Sequence, residues 1–176
     1  MKVDEFYELA EFLYKNPPQG IEEGAYRSAI SRYYYFAFLR LRDNIVKHDT
    51  RDEIKDLLNS PQAYSAHAAL QVYLQELGRI SMKDHTLKST VGVTDIGRVT
   101  FTLAQELRNL HNKRKFADYD TKEIDMTELK THVMESKQLA DIIKSKINKT
   151  ITLLGMVTSL PNAEDIKKKL ERKKKK

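Results

Sequence analysis

The residues best suited to chemistry lie in one stretch, positions 107–120, which reads Leu-Arg-Asn-Leu-His-Asn-Lys-Arg-Lys-Phe-Ala-Asp-Tyr-Asp. Arg108 and His111 are three positions apart, so a helix turns both towards the same side, and Arg114 follows one turn later. Cleavage of RNA by the ribose 2′-hydroxyl needs no metal, only an acid or base and a cation on the phosphate. His111 is expected to titrate near neutral pH. Arg108, His111 and Arg114 are therefore the candidate catalytic residues.

A structural interpretation of the same cations is equally open. Arg114 continues an apolar helical stripe, and Arg32 is flanked by apolar and aromatic residues, so both are expected to be partly buried. Because an unpaired buried charge costs several kcal/mol, Asp118 is the predicted partner of one of them. In this interpretation the cluster stabilises the fold.

Other kinds of site find no support in the sequence. The six glycines are scattered and form no phosphate-binding loop, and no serine lies in a Gly-x-Ser-x-Gly turn. The chain has no cysteine, and its five histidines form no pair at metal-binding spacing. We therefore expect neither a metal site nor a cofactor.

The positive charge is concentrated at the end of the chain. The whole sequence has 31 lysines and arginines against 25 acidic residues, a net charge of +6. Residues 161–176 hold eight of the basic and three of the acidic residues, which is a net charge of +5 and leaves about +1 for residues 1–160. We expect residues 161–176 to be a solvated basic tail outside the core. A flexible arm that binds polyanions is the alternative.

The start of the chain and its hydropathy favour a cytoplasmic protein. The sequence begins Met-Lys-Val-Asp-Glu, without the apolar region of a signal peptide, and no stretch has the roughly 18 apolar residues of a membrane span. We expect no membrane association.

Apolar residues recur at helical spacing along most of the chain. Six glycines and four prolines in 176 residues are few, which argues against a β-rich fold with many turns. The second helix places six apolar residues on one stripe: Ile30, Tyr34, Ala37, Phe38, Leu41 and Ile45. The expected fold is an all-α, antiparallel up-and-down bundle of four to five main helices formed by residues 1–160. The predicted helices are 4–14, 22–46, a short one at 49–58, 60–80, 94–114 and 125–151, with an exposed loop at 81–93.

Three segments together resemble the HEPN superfamily, in particular its small stand-alone members often encoded beside a minimal nucleotidyltransferase. Residues 27–38 read Arg-Ser-Ala-Ile-Ser-Arg-Tyr-Tyr-Tyr-Phe-Ala-Phe, residues 66–74 read Ala-His-Ala-Ala-Leu-Gln-Val-Tyr-Leu, and residues 114–120 read Arg-Lys-Phe-Ala-Asp-Tyr-Asp. The resemblance spans roughly residues 3–150. It implies a helical bundle that forms a homodimer with a cleft at its interface.

The resemblance also implies an activity. Many HEPN proteins are metal-independent endoribonucleases that act as toxins or antiviral effectors. Their hallmark is an arginine, often followed by asparagine, and a histidine after four to six intervening residues. Arg108 and Asn109 match its opening, whereas positions 113–115 are Lys, Arg and Lys, and His111 comes too early. Tyr119 lies near the position where some toxins carry a tyrosine modified by the nucleotidyltransferase, with Asp118 in place of the preceding histidine.

Two functions are therefore open. The first is a HEPN effector acting on RNA, as the toxin of a two-gene toxin-antitoxin or defence pair. The second is a non-catalytic helical module that binds a nucleotidyltransferase, nucleotide or RNA. In both, Arg108, His111 and Arg114 form the central cluster, with four binding or supporting residues around it: Arg32, Asn109, Asp118 and Tyr119.

Overall fold

The computed structural model describes residues 2–60, 63–83, 93–120, 124–157 and 159–174, and over these it contains seven α-helices and no strand. The expected all-α helical bundle is confirmed. In chain order the helices are α1 (Val3–Lys15), α2 (Glu22–His48), α3 (Asp52–Leu58), α4 (Ala63–Lys83), α5 (Val93–Tyr119), α6 (Met126–Met156) and α7 (Ala163–Lys174).

The chain packs as two compact units. The first consists of Met1–Arg40 with Glu106–Ser145, and the second of Leu41–Gln105 with Lys146–Lys176. The long helices α2, α5 and α6 each contribute residues to both units. The division therefore falls within helices, and not at residue 160 where the charge pattern placed a boundary.

Helix α2 is buried as its pattern predicts. All six residues of its expected apolar stripe are at most 4% exposed, and Tyr33 and Phe36 on neighbouring faces are fully buried as well. The helix follows a turn at Gly20, whose φ of 83° lies in the left-handed region that favours glycine. Five of the six aromatic side chains of α2 are thus buried within one chain, and Tyr35 is half-buried.

Residues 163–172 correct the expectation of a tail outside the core. They lie in α7, which begins after Asn162, whose side-chain oxygen accepts hydrogen bonds from the backbone N–H groups of Glu164 (2.8 Å) and Asp165 (3.3 Å). Ile166 is 1% exposed, and α7 packs on α3 and α4 within the second unit. The lysine-rich sequence was therefore misinterpreted as a solvated tail, whereas it forms an amphipathic helix whose apolar side includes Ala163 and Ile166.

Several helix boundaries also differ from the predicted ones, most of all at the ends of α5, which continues from the predicted 114 to Tyr119, and of α6, which continues from the predicted 151 to Met156. α4 continues to Lys83, three residues into the expected loop, and residues 84–92 lie outside the described part of the chain. α5 begins at Val93, so Thr94 lies inside the helix and does not precede it. Pro61, expected at the start of α4, is also outside the described residues. The start of α6 is as expected, because Asp125 accepts backbone hydrogen bonds from Thr127 (2.8 Å) and Glu128 (3.1 Å).

Candidate functional site

His111 and Arg114 both contact Tyr34, a buried residue of α2 in the first unit. The His111 ring stacks on the Tyr34 ring, with 5.2 Å between centroids and 20° between planes. The Arg114 guanidinium lies 5.7 Å from the Tyr34 centroid and 5.1 Å from that of Tyr35. Two of the three candidate catalytic groups are therefore packed against the aromatic face of α2.

Asp118 is the partner of Arg114. Arg114 Nε donates to Asp118 Oδ2 over 2.7 Å, and the Ser31 hydroxyl donates to Asp118 Oδ1. The side chains of Arg114 and Asp118 are 15% and 27% exposed. The predicted structural pairing is confirmed for Arg114, and it joins α5 to α2.

His111 does not titrate near neutral pH, contrary to expectation. Burial disfavours its protonated form, and the charges of Lys115 and Arg114 add to this, so that the pKa of His111 falls from 6.5 to about 4. The imidazole is therefore neutral at pH 7. A neutral, half-buried ring stacked on Tyr34 is poorly suited to protonate a leaving oxygen.

This shift predicts a pH-dependent stability that a titration of the free energy of unfolding will detect. Because the unfolded chain binds a proton near pH 6.5 and the folded chain only near pH 4, protonation favours unfolding between these values. We expect wild type to lose up to about 2 kcal/mol between pH 8 and pH 5 relative to His111→Phe, which keeps a ring on Tyr34 but cannot titrate. Urea unfolding at several pH values measures the difference. Parallel pH profiles would contradict the burial of His111.

Arg108, the third candidate, is exposed, as are Asn112, Lys115 and Tyr119. These four positions follow each other at spacings of four, three and four residues, which places them along one stripe of α5. Tyr119 is 70% exposed, so its ring is accessible to solvent. We call this stripe the exposed face of α5. The structure thus separates Arg108 and Tyr119 from His111.

Asn109 lies beside this stripe. Its side-chain amide donates to Glu106 over 3.2 Å, and with Asn112 it lines a cleft of about 450 Å³ that α5 shares with α6. Lys113 in the same cleft is bound to Glu135 and His132 of α6. The cleft thus presents amide groups next to the exposed face.

Arg32 lies in a different place, a cleft of about 290 Å³ within the first unit. Its guanidinium lies 5.7 Å from the centroid of the Phe6 ring. The other predicted pairing, of Arg32 with Asp118, is not formed, because Asp118 is paired with Arg114. The cleft is formed by α2 and the end of α5, and its lining is Arg27, Ser28, Ser31, Arg32, Tyr35, Ala117 and Asp118. We call it the α2 cleft.

Arg27 was not recognised from the sequence as part of any site. It pairs with Glu23 (2.7 Å), and its Nη1 donates to the backbone oxygens of Phe116 (3.3 Å), Ala117 (3.2 Å) and Asp120 (2.8 Å). It therefore satisfies carbonyl groups at the end of α5, where the helix dipole is negative. Three partners about 90 positions away leave no local signal in the sequence.

In the described part of the chain no three acidic or histidine side chains are grouped so that they could hold a metal ion. No described helix is both long and apolar enough to cross a bilayer.

The chain is similar to a known sequence. It is 36% identical over 149 residues to the uncharacterized protein MJ0992 of Methanocaldococcus jannaschii, and the match covers 82% of this chain and 73% of that protein. The chain belongs to the same family as that archaeal protein. No family model and no solved structure matches it.

Proposed function

We propose that the protein is a HEPN-type module that binds single-stranded RNA through the exposed face of α5 without cleaving it. One observation supports the proposal: one side of α5 is packed against α2, and the other is exposed to solvent. His111 and Arg114 face Tyr34 and Asp118, whereas Arg108, Lys115 and Tyr119 are exposed to solvent.

The exposed face has the composition that single-stranded nucleic acid requires. Of the four residues on the exposed face, two are basic and none is acidic. Arg108 and Lys115 supply positive charge for phosphates, and Tyr119 supplies a flat surface on which a base of any identity can stack. The stripe from Arg108 to Tyr119 extends roughly 16 Å along the helix axis. Asn109 and Asn112 can add hydrogen bonds beside it.

The same geometry argues against the endoribonuclease interpretation. General acid catalysis needs a protonated group that reaches the leaving oxygen, and His111 is neutral at pH 7 and stacked on Tyr34. Arg114, the candidate cation for the phosphate, is already paired with Asp118. Of the three candidate catalytic residues, only Arg108 is exposed.

A titration of fluorescent single-stranded RNA tests the binding surface. We expect Tyr119→Ala to weaken binding about tenfold, because stacking contributes roughly 1 to 3 kcal/mol per base. Tyr119→Phe retains the ring and most of the affinity. Arg108→Gln should weaken binding for all sequences and lower the slope of log K against log salt by about 0.7. Arg98→Gln, a change at an arginine 71% exposed in the second unit, is the matched control and should have no effect. Equal affinities of wild type and both α5 variants would overturn the proposal.

A cleavage assay with labelled RNA in EDTA tests the endoribonuclease interpretation, and thermal unfolding of the same proteins is measured in parallel. We expect no products from wild type, His111→Ala or Arg114→Ala, and a lower melting temperature for Arg114→Ala, which leaves Asp118 without its cation. Cleavage by wild type that His111→Ala abolishes would instead favour a metal-independent endoribonuclease toxin.

The expected partners follow from the resemblance. Homodimers and nucleotidyltransferase partners are typical of HEPN proteins, and both remain predictions here. The polyanion-arm interpretation of residues 161–176 loses support, because Lys169 is bound to Glu76 and Lys167 to Glu164.

A further inference from the structure

We infer that α7 is a detachable helix, which a polyanion releases from α3 and α4 while the rest of the second unit stays folded. All three helices belong to that unit. Detachment does not depend on RNA binding by the exposed face of α5.

Few apolar side chains hold α7 in place. Of the side chains described in this helix, only Ala163 and Ile166 are buried, and Leu170 is half-buried. Six of its twelve residues are basic and three are acidic. A helix with so little buried apolar surface belongs to the parts of a fold that open at the lowest free energy.

Charged contacts supply much of the attachment. Lys169 is bound to Glu76 of α4, whose side chain is only 10% exposed. Glu53 and Asp56 of α3 also attract Lys167. Because exposed charges are screened by salt and can exchange partners, the attachment of α7 is sensitive to competing anions.

Release of α7 leaves Glu76 with a cation. Its carboxylate also pairs with Arg79 over 2.7 Å, so no buried charge is left alone when Lys169 departs. Lys169 itself is 40% exposed and is already partly hydrated. Arg51 holds the backbone oxygen of Pro161 over 2.8 Å, which places the hinge of the detaching helix after Pro161.

A polymer with closely spaced negative charges is the ligand that fits the released helix. Residues 172–176 are five consecutive basic residues. In the docked helix Lys169 is held by Glu76, and the acidic side chains of α3 lie near Lys167. A polyanion gains these two lysines together with residues 172–176 only when α7 leaves α3 and α4. Because it binds the detached form more tightly, it shifts the equilibrium towards that form.

A single thiol on the buried side of α7 measures detachment, because the chain has no cysteine of its own. In the full chain with Ile166→Cys, the uncharged reagent N-ethylmaleimide can modify the thiol only when α7 opens. We expect inorganic polyphosphate at low salt to raise the modification rate at least tenfold. Leu103→Cys, at a fully buried position of α5 in the same unit, is the matched control and should stay protected.

Two further variants test the ion pair and the link to the proposed function. Glu76→Gln should raise the modification rate at position 166 without polyphosphate. Asp95→Asn, a change at an exposed carboxylate of α5, should leave that rate unchanged. Polyphosphate has no base that could stack on Tyr119, so Tyr119→Ala should not alter its effect. This separates failure of α7 to detach from failure of α5 to bind RNA.

The thiol measurements can overturn the inference in three ways. A thiol at position 166 that polyphosphate leaves protected would show that α7 does not detach, and equal rates at positions 166 and 103 would show that the whole unit opens. Because Ile166→Cys removes apolar contacts, Ala163→Cys repeats the measurement with a smaller change. Rapid modification of both α7 thiols before polyphosphate is added would show that α7 is not docked.

Discussion

Replacing Arg51 with alanine is expected to lower the free energy of unfolding by about 3 to 5 kcal/mol. Asp49 is 1% exposed and accepts hydrogen bonds from Arg51 Nε (2.8 Å) and Nη2 (2.6 Å) and from the Tyr73 hydroxyl (2.7 Å). Arg51 Nη2 also donates to the Pro161 oxygen over 2.8 Å. The variant leaves a buried carboxylate without its cation and the carbonyl of Pro161 without its donor.

Urea unfolding of the variant and a matched control measures this effect. Lys55→Ala removes a lysine whose partner Asp52 is 92% exposed, and such a surface pair contributes less than about 1 kcal/mol. Adding Asp49→Asn to Arg51→Ala should recover part of the loss, because a neutral amide is cheaper to bury than a carboxylate. Similar costs for Arg51→Ala and Lys55→Ala would contradict the role of the buried pair.

Acid should weaken the same pair. Burial raises the pKa of Asp49, but the hydrogen bonds from Arg51 and Tyr73 outweigh it and hold the pKa below its ordinary value of 3.8. The pair therefore stabilises the fold above pH 3.8, and its contribution is lost as the pH falls through the lower folded pKa. The free-energy difference between wild type and Arg51→Ala should shrink over that range.

The parts of the fold that could be predicted from the sequence depend on residues that are close together along the chain. The apolar stripe of α2 repeats at helical spacing, and burial of one face makes that repeat visible. The pairing of Asp118 with Arg114 or Arg32 was predicted because a buried cation needs a partner. The structure selects Arg114, because α5 continues to Tyr119 and makes residues 114 and 118 neighbours on one helix.

Long-range contacts explain what the sequence did not predict. His111 is neutral because Tyr34, 77 positions earlier in the chain, covers its ring. Arg108 and His111 also differ in exposure for a geometric reason: residues three apart on a helix differ by about 60° around its axis. The edge of the buried surface lies between them. In α7, the burial of Ala163 and Ile166 was not predicted, because it results from packing on α3 and α4, which lie far away in the sequence.

The α2 cleft is a second example of a feature that depends on long-range contacts. Ser28, Arg32 and Tyr35 share a face by their spacing alone, and the sequence displays that spacing. Their distinction from other polar residues comes from the end of α5, which brings Asp118 to the same cleft. A helix face forms one wall of a cleft only when a second element closes the other side.

A close approach of α4 and α5 within the second unit makes Gly78→Ala the other change with a large expected effect. A β-carbon on Gly78 would lie 2.8 Å from the backbone oxygen of Gly97 and 3.0 Å from the backbone nitrogen of Phe101. Because backbone atoms cannot rotate away as a side chain can, the two helices must separate. We expect a loss of about 2 to 3 kcal/mol in the free energy of unfolding, despite the better helix propensity of alanine.

Gly155→Ala in the same unit is the matched control, since no atom lies within 4 Å of a β-carbon at that position of α6. It should leave stability unchanged or raise it by up to about 1 kcal/mol, because alanine favours the helix more than glycine does. The same substitution thus has opposite expected signs at two helical glycines, and the difference comes only from the distance to the neighbouring backbone. Urea unfolding of both variants measures it, and a Gly78→Ala protein as stable as Gly155→Ala would show that α4 and α5 do not approach at Gly78 and Gly97.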